Sequence, residues 1–367
     1  MPAAPRDLPF SKLAIPGEGV DGAPSPKTRP ITPKGQERAQ PFFSYKAPRQ
    51  DATVRMPPPF TGSTDGDAAF FAARTQELGE TSDGMAEALA QLSAALTDRT
   101  NAAPQVRSHG KDSALLTACL RAHNYSVTDA LAAITTIATW ETQAYCPLGP
   151  LPPSLAIEIL ANGFAELLPV RDKEGCAVIM LRDAAKMSQL MAKYTFDHVV
   201  KAIGWLVMEA VRESAETQLC GVTLLEDMSG HGGVSPELGR AKVIMAAIFP
   251  KHSPFKMGTV VMYNVSDAML MISGWSVSRM FAPRNTTVAH KLAHSGRNEL
   301  KELVTARFVA ESTLPVQLGG PMKYNFGEWL GAKHEQLCGG PWTPVHAYAD
   351  VATSRQDSSL TPFPPRH

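Results

Sequence analysis

Apolar and polar positions along this chain change rhythm near residue 146. From Asp67 to about Leu96, in DAAFFAARTQELGETSDGMAEALAQLSAAL, apolar residues recur at three and four, which predicts one or two amphipathic helices. The stretch DSALLTACLRAHNYSVTDALAAITTIATWETQAY, from Asp112 to Tyr145, predicts two more helices meeting at HNYS, with Ser126 placed to cap the second. Beyond the proline-rich joint CPLGPLPP the pattern changes to short continuous apolar runs: CAVIML (Cys176 to Leu181), GVTLL (Gly221 to Leu225) and TVVMY (Thr259 to Tyr263). Helical stretches alternate with them, one over Ser188 to Thr217, one from near Pro236, one after the third run. Runs of five or six β-forming residues alternating with helices predict βαβ units and a mostly parallel sheet. The expected fold class is α/β, with a helical N-terminal region at 66–150 ahead of an α/β domain at 151–335 and a C-terminal tail at 336–367.

The first 65 residues break no helix or strand pattern because they have none. Residues 1–60 hold 13 of the chain's 30 prolines, with nine basic side chains against five acidic. Such a segment buries too little apolar surface to offset the entropy of ordering, so a disordered, mildly positive tail is expected.

Charge and cysteine content narrow the function classes. Lysine plus arginine equals aspartate plus glutamate at 35 each, so no global field draws the chain to nucleic acid. The five cysteines (Cys119, Cys146, Cys176, Cys220, Cys338) are far apart, lack any C-x-x-C pair and read as reduced thiols. Neither a metal nor another cofactor is expected. No basic start leads into an apolar run, and no stretch nears the 18 or so apolar residues of a membrane span, so a soluble cytosolic protein is expected.

The most chemical stretch is LLEDMSGHGGVSPEL, Leu224 to Leu238. His-Gly-Gly after a strand can build an oxyanion hole, but that chemistry needs a G-x-S-x-G elbow, and the nearest sequence, GWSVS at Gly274 to Ser278, lacks the second glycine. Gly230, Gly232 and Gly233 fit neither phosphate-binding glycine pattern. Glu226 and Asp227 are neighbours on a strand and face opposite sides, so they are poorly placed to share one reacting atom. More telling is SDAMLMISGWSVSRMFAP, Ser266 to Pro283, helical in length and apolar around most of its circumference. A helix of that kind is buried on every side or bounded by something apolar on both.

Four blocks resemble the CRAL-TRIO lipid-binding family. LLTACLRAHNYSVTDAL is similar to its opening helical motif, typically L-L-R-F-L-R-A-R-K-F-D. ETQLCGVTLLEDMSG resembles its second strand, FKMGTVVMYNVS its third, and LPVQLGG at Leu314 to Gly320, with Trp329 beyond, its closing L-P-x-x-x-G-G. The blocks come in family order across about 112–330, with the family's N-terminal part from about residue 108.

The resemblance implies a helical cap on a sheet that floors an apolar cavity, covered by a mobile helix for which Ser266 to Phe281 stands in place. It implies no enzyme activity, and as partners a hydrophobic lipid (phospholipid, phosphoinositide, or neutral isoprenoid or sterol-like) and, transiently, a membrane surface. The implied wall is Gly204 and Met208 on the long helix, Val222 and Leu224 on the second strand, Val260 and Met262 on the third, with Met269 and Ile272 on the covering helix. Alternation adds Glu226 to the strand-two row, where relatives carry an apolar residue. For a phosphate headgroup, Lys291 stands five before Gly296 as in phosphatidylinositol-transferring members, but His123 and Asn124 replace an Arg-Lys pair, and Phe255 and Lys256 replace Glu-Arg. A basic membrane-contact patch, as in tocopherol-transfer relatives, would draw on Lys256, Arg279, Arg284 and Lys291. Two competing readings are a regulatory protein-interaction module on the same fold and a serine hydrolase.

Overall fold

The computed structural model describes residues 64–97, 106, 109–182, 189–227, 237, 240, 241, 244, 245, 248, 251–263, 287–289, 321 and 323–342. The N-terminal tail, the loop 228–236 and residues 266–281 therefore lie outside the described residues.

Four helices open the described chain: α1 (Thr64–Glu77), α2 (Ser82–Thr97), α3 (Ser113–Ala122) and α4 (Val127–Trp140). Caps set their starts. Asp112 accepts the Leu115 N–H at 3.0 Å and Ser126, as expected, accepts the Asp129 N–H at 3.3 Å. Leu92, Leu96, Leu120 and Ile134 are at most 1% exposed, so α2, α3 and α4 close on one another.

The α/β part starts with α5 (Pro153–Leu160), whose Pro153 occupies the first turn, where a missing N–H costs nothing. The strands β1 (Ala165–Arg171), β2 (Ala177–Leu181), β3 (Val222–Asp227), β4 (Met257–Tyr263) and β5 (Thr287–Ala289) form one sheet in the order β1-β2-β3-β4-β5. β2 through β5 are parallel and β1 pairs antiparallel with β2. The mostly parallel sheet matches the α/β expectation, while the antiparallel β1 and the short β5 are additional to it.

The helix expected over 188–217 is broken in two: α6 (Phe196–Glu213) and α7 (Ala215–Cys220). Thr195 caps the first by accepting the His198 N–H, and Ser214, in extended backbone, ends α6 and caps α7 through the Thr217 N–H. A last helix, α8 (Phe326–Cys338), begins on an Asn325 cap and returns to pack on α5 and β1.

One continuous apolar core joins these layers. Ile179, Val222, Met257 and Val260 of the sheet share it with Ile157 and Leu160 of α5, Val199, Ala202 and Leu206 of α6, and Phe326 and Leu330 of α8. Outside α6, α3 adds its own buried face.

Candidate functional site

Register places the sequence-derived strand residues in rows. Ala177, Val222 and Met257 lie level, as do Ile179, Leu224 and Val260, and then Leu181, Glu226 and Met262. Alternation sends Val222, Leu224 and Glu226 to one face. Burial relaxes along that face: Val222 is fully covered and Val260 is 2% exposed, whereas Leu224 and Glu226 are only partly buried. The carboxyl ends of parallel strands are where open α/β sheets receive ligands. The row therefore runs from closed core into more accessible surface in the direction a ligand site requires.

Gly204 and Met208 go elsewhere. At 100° per residue they lie on the opposite side of α6 from Leu206, facing the proline-rich joint. A Cβ at Gly204 would stand 1.6 Å from the Pro147 carbonyl oxygen, so only glycine lets the joint cross the helix. Gly204 and Met208 thus face the joint, while Met208, 7% exposed, also belongs to the buried core that holds Val222 and Val260.

Of the residues expected in a membrane-contact patch, Lys256 alone lies among the described residues. It directly precedes β4, at the amino-terminal end of that strand. Burial lowers its proton affinity, and Arg74 and Arg121 add repulsion. Its carbonyl accepts the Val222 N–H at 3.0 Å. Met269, Ile272, Arg279, Arg284 and Lys291 lie outside the described residues.

The amino-terminal edge of the sheet is tied down by polar contacts that sequence reasoning did not single out. In the β1–β2 turn, buried Asp172 accepts the N–H groups of Glu174 (3.0 Å) and Cys176 (2.8 Å) and the Thr223 hydroxyl (2.5 Å). Burial raises its carboxyl above the ordinary range despite those bonds. Arg121 grips Glu80 through two nitrogens (2.6 and 3.1 Å) and donates to Gln218 at 2.6 Å, and the Tyr125 hydroxyl donates to the same Glu80. Burial works against that carboxylate, but the bonds from Arg121 and Tyr125 outweigh it and hold Glu80 below its ordinary range. His123, at the substituted headgroup position, meets the Ser253 carbonyl at 3.1 Å.

Against known families, residues 161–320 match the CRAL/TRIO domain. These residues are a CRAL/TRIO domain. Two curated proteins called alpha-tocopherol transfer protein-like, from Pongo abelii and Homo sapiens, are each 34% identical over 80 residues, which is 22% of this chain and 22% of each relative. The match thus spans about a fifth of the relatives' length. Among solved structures, the crystal structure of Sfh5 aligns over 76% of this chain and 98% of its own at 14% identity and a TM-score of 0.39, a likeness too slight to build on.

The CRAL/TRIO match stops short of the folded unit. α5 begins before it, and α8 lies wholly beyond it while burying Phe326 and Leu330 in the shared core. α8 is held by a buried clasp: Lys333, 3% exposed, meets Glu209 at 2.7 Å and Glu213 at 2.8 Å. Burial disfavours the ammonium, but the two carboxylates more than restore it and Lys333 binds its proton more tightly than usual. No helix among the described residues is long and apolar enough to cross a membrane.

Proposed function

We propose that this chain binds one hydrophobic lipid against the Leu224–Glu226 end of the β3 row and carries or presents it at membrane surfaces from the cytosol. The observation that supports this most directly is the gradient along β3, from fully buried Val222 to half-buried Leu224 and Glu226, inside a CRAL/TRIO domain. The apolar residues 266–281, Met269 and Ile272 among them, cover the lipid in this reading, a role that rests on the sequence resemblance.

The physical need is clear. Drawing a sixteen-carbon chain through water costs about 0.8 kcal/mol per methylene, roughly 12 kcal/mol in all. A cavity delivered to the bilayer removes most of that barrier without breaking any bond.

The cargo in this reading is a neutral, tocopherol-like or sterol-like lipid. The names of the two curated relatives support this, and so does the position of Lys256, which stands with Arg74 and Arg121 away from the carboxyl end of the strands. Glu226 then supplies a hydrogen-bond acceptor for a hydroxyl on the lipid. Lys291, with Arg279 and Arg284, serves membrane contact.

Solvent extraction of the purified full chain with mass spectrometry tests the proposal. About one neutral lipid per chain is expected, with Glu226→Leu shifting lipid identity or lowering occupancy. Stoichiometric phosphatidylinositol would restore the headgroup reading and direct attention to Lys291. No lipid at all would sink the proposal and favour a protein-interaction module on the same fold.

A further inference from the structure

The side of α6 that carries Gly204 and Met208 lines a groove of about 910 Å³, bounded by the joint at 147–153 and by the last turn of α8. Its walls are mainly apolar, with Leu148, Leu151, Met208, Trp205 and the 42%-exposed Leu337. That volume lies within the roughly 300–1,000 Å³ of small-molecule sites, which combine apolar walls with a few fixed polar groups. The walls are also pre-set. Proline fixes the backbone of the joint, and the Gly204–Pro147 contact fixes its distance from the helix, so little ordering is left for a ligand to drive.

The polar groups are short of positive charge at both ends. At one, Asp112, Glu209 and Glu213 share two permanent cations: Arg212 reaches Asp112 at 3.1 Å and Glu209 at 2.9 Å, and Lys333 reaches Glu209 and Glu213. At the other, Glu141, with only 9% of its side chain exposed, meets His109 at 2.7 Å and, among the described residues, no arginine or lysine. Three carboxylates against two cations, and one against an imidazole, leave each end one cation short. Glu213 also accepts the Trp329 indole N–H at 3.1 Å and Asp112 the Leu115 N–H at 3.0 Å, but both are neutral donors, and with 37% and 30% of their side-chain surface exposed each can accept a further, charged one. The indole of Trp205, packed edge-to-face on Trp329 at 6.2 Å, also lines the groove.

We infer that this groove is a binding site for a small amphipathic organic cation, an ammonium on a short alkyl body, separate from the strand row proposed for lipid cargo. The ammonium takes the uncompensated carboxylate charge at the Glu213–Asp112 end, and the alkyl body lies along Leu148, Leu151 and Leu337. A neutral amphiphile of the same shape gains only the apolar part.

Calorimetric titration of the full chain with octylammonium chloride, and with octanol as the neutral twin, tests this. The ammonium is expected to bind at least tenfold more tightly, and the difference to vanish in Leu337→Lys, which puts a cation at the groove mouth without touching the clasp. Unchanged melting temperature of Leu337→Lys certifies its fold, and Glu213→Gln gives a second reading with a several-fold loss. Equal affinity for amine and alcohol, no binding of either, or full binding retained by Leu337→Lys would overturn the inference. So would release of bound lipid in proportion to added octylammonium, since that places the amine in the cargo site.

Discussion

The two ends of the sheet are built on opposite terms. At the amino-terminal edge, Phe70 of α1 is 2% exposed against the Gly175 turn, Asp172 is 4% exposed with three hydrogen bonds, and Arg121 locks Glu80 to α3 and α7. At the carboxyl end, burial fades along β3 through Leu224 to Glu226 and Asp227. One end holds the strands in register, and the other is the end at which the lipid is proposed to sit.

The largest expected effect falls on the locked end. Phe70→Ala should cost about 3–5 kcal/mol in urea unfolding, the usual range for emptying a buried phenylalanine site. A loss below 1 kcal/mol would mean that α1 is an accessory to the edge rather than part of it.

Next comes Gly175→Ala. Its φ of +80° belongs to glycine, and a Cβ there would meet the Phe70 ring at 2.6 Å and the Cys220 sulfur at 3.0 Å. The backbone alone costs an alanine about 1–2 kcal/mol, and the contacts add to it. Circular-dichroism melts read the sum.

The same edge should respond to pH in two opposed ways. Glu80 has its pKa lowered on folding, so its contribution is present above the unfolded value and is lost as acid titrates the folded carboxylate. Asp172 has its pKa raised, so protonation favours the folded state and its effect has the other sign. Glu80→Gln should therefore flatten the loss of stability below about pH 4.5, and Asp172→Asn should steepen it. Unfolding free energies measured from pH 3 to 6 would show both slopes, and parallel curves for wild type and variants would remove this account of the edge.

Smallest in stability is the open end. Leu224→Ala, at a half-buried site, should cost about 1 kcal/mol, below the usual 2–5 for a fully buried leucine. It should nonetheless change lipid occupancy several-fold by mass spectrometry. A large stability loss with unchanged occupancy would make this end ordinary core and erase the contrast.

Much of this was legible in the chain. The three apolar runs became β2, β3 and β4, because a strand buried on both faces must be apolar at consecutive positions. Among the elements that stayed hidden, β1 and α8 show why. β1, AELLPVR, hides because a charge and a proline interrupt its apolar run: Glu166 is 1% exposed and its charge meets Arg182 at 2.6 Å, while Pro169 sits where an edge strand tolerates it. α8 hides because Lys333 reads as a surface residue until its partners, more than 100 positions earlier in the chain, are brought beside it.

Local sequence thus determined three of the five described strands, the Ser126 cap and, through four family blocks, that a CRAL/TRIO domain is present. Those properties depend on periodicity, capping chemistry and neighbours a few residues apart, all of which a linear sequence carries. Only the tertiary structure decided which wall residues share a row, that Gly204 and Met208 face the proline-rich joint, and that Lys256 stands at the amino-terminal end of β4. Such assignments depend on the angle around a helix and the end of a strand that meets a neighbour, and packing across the whole chain sets both.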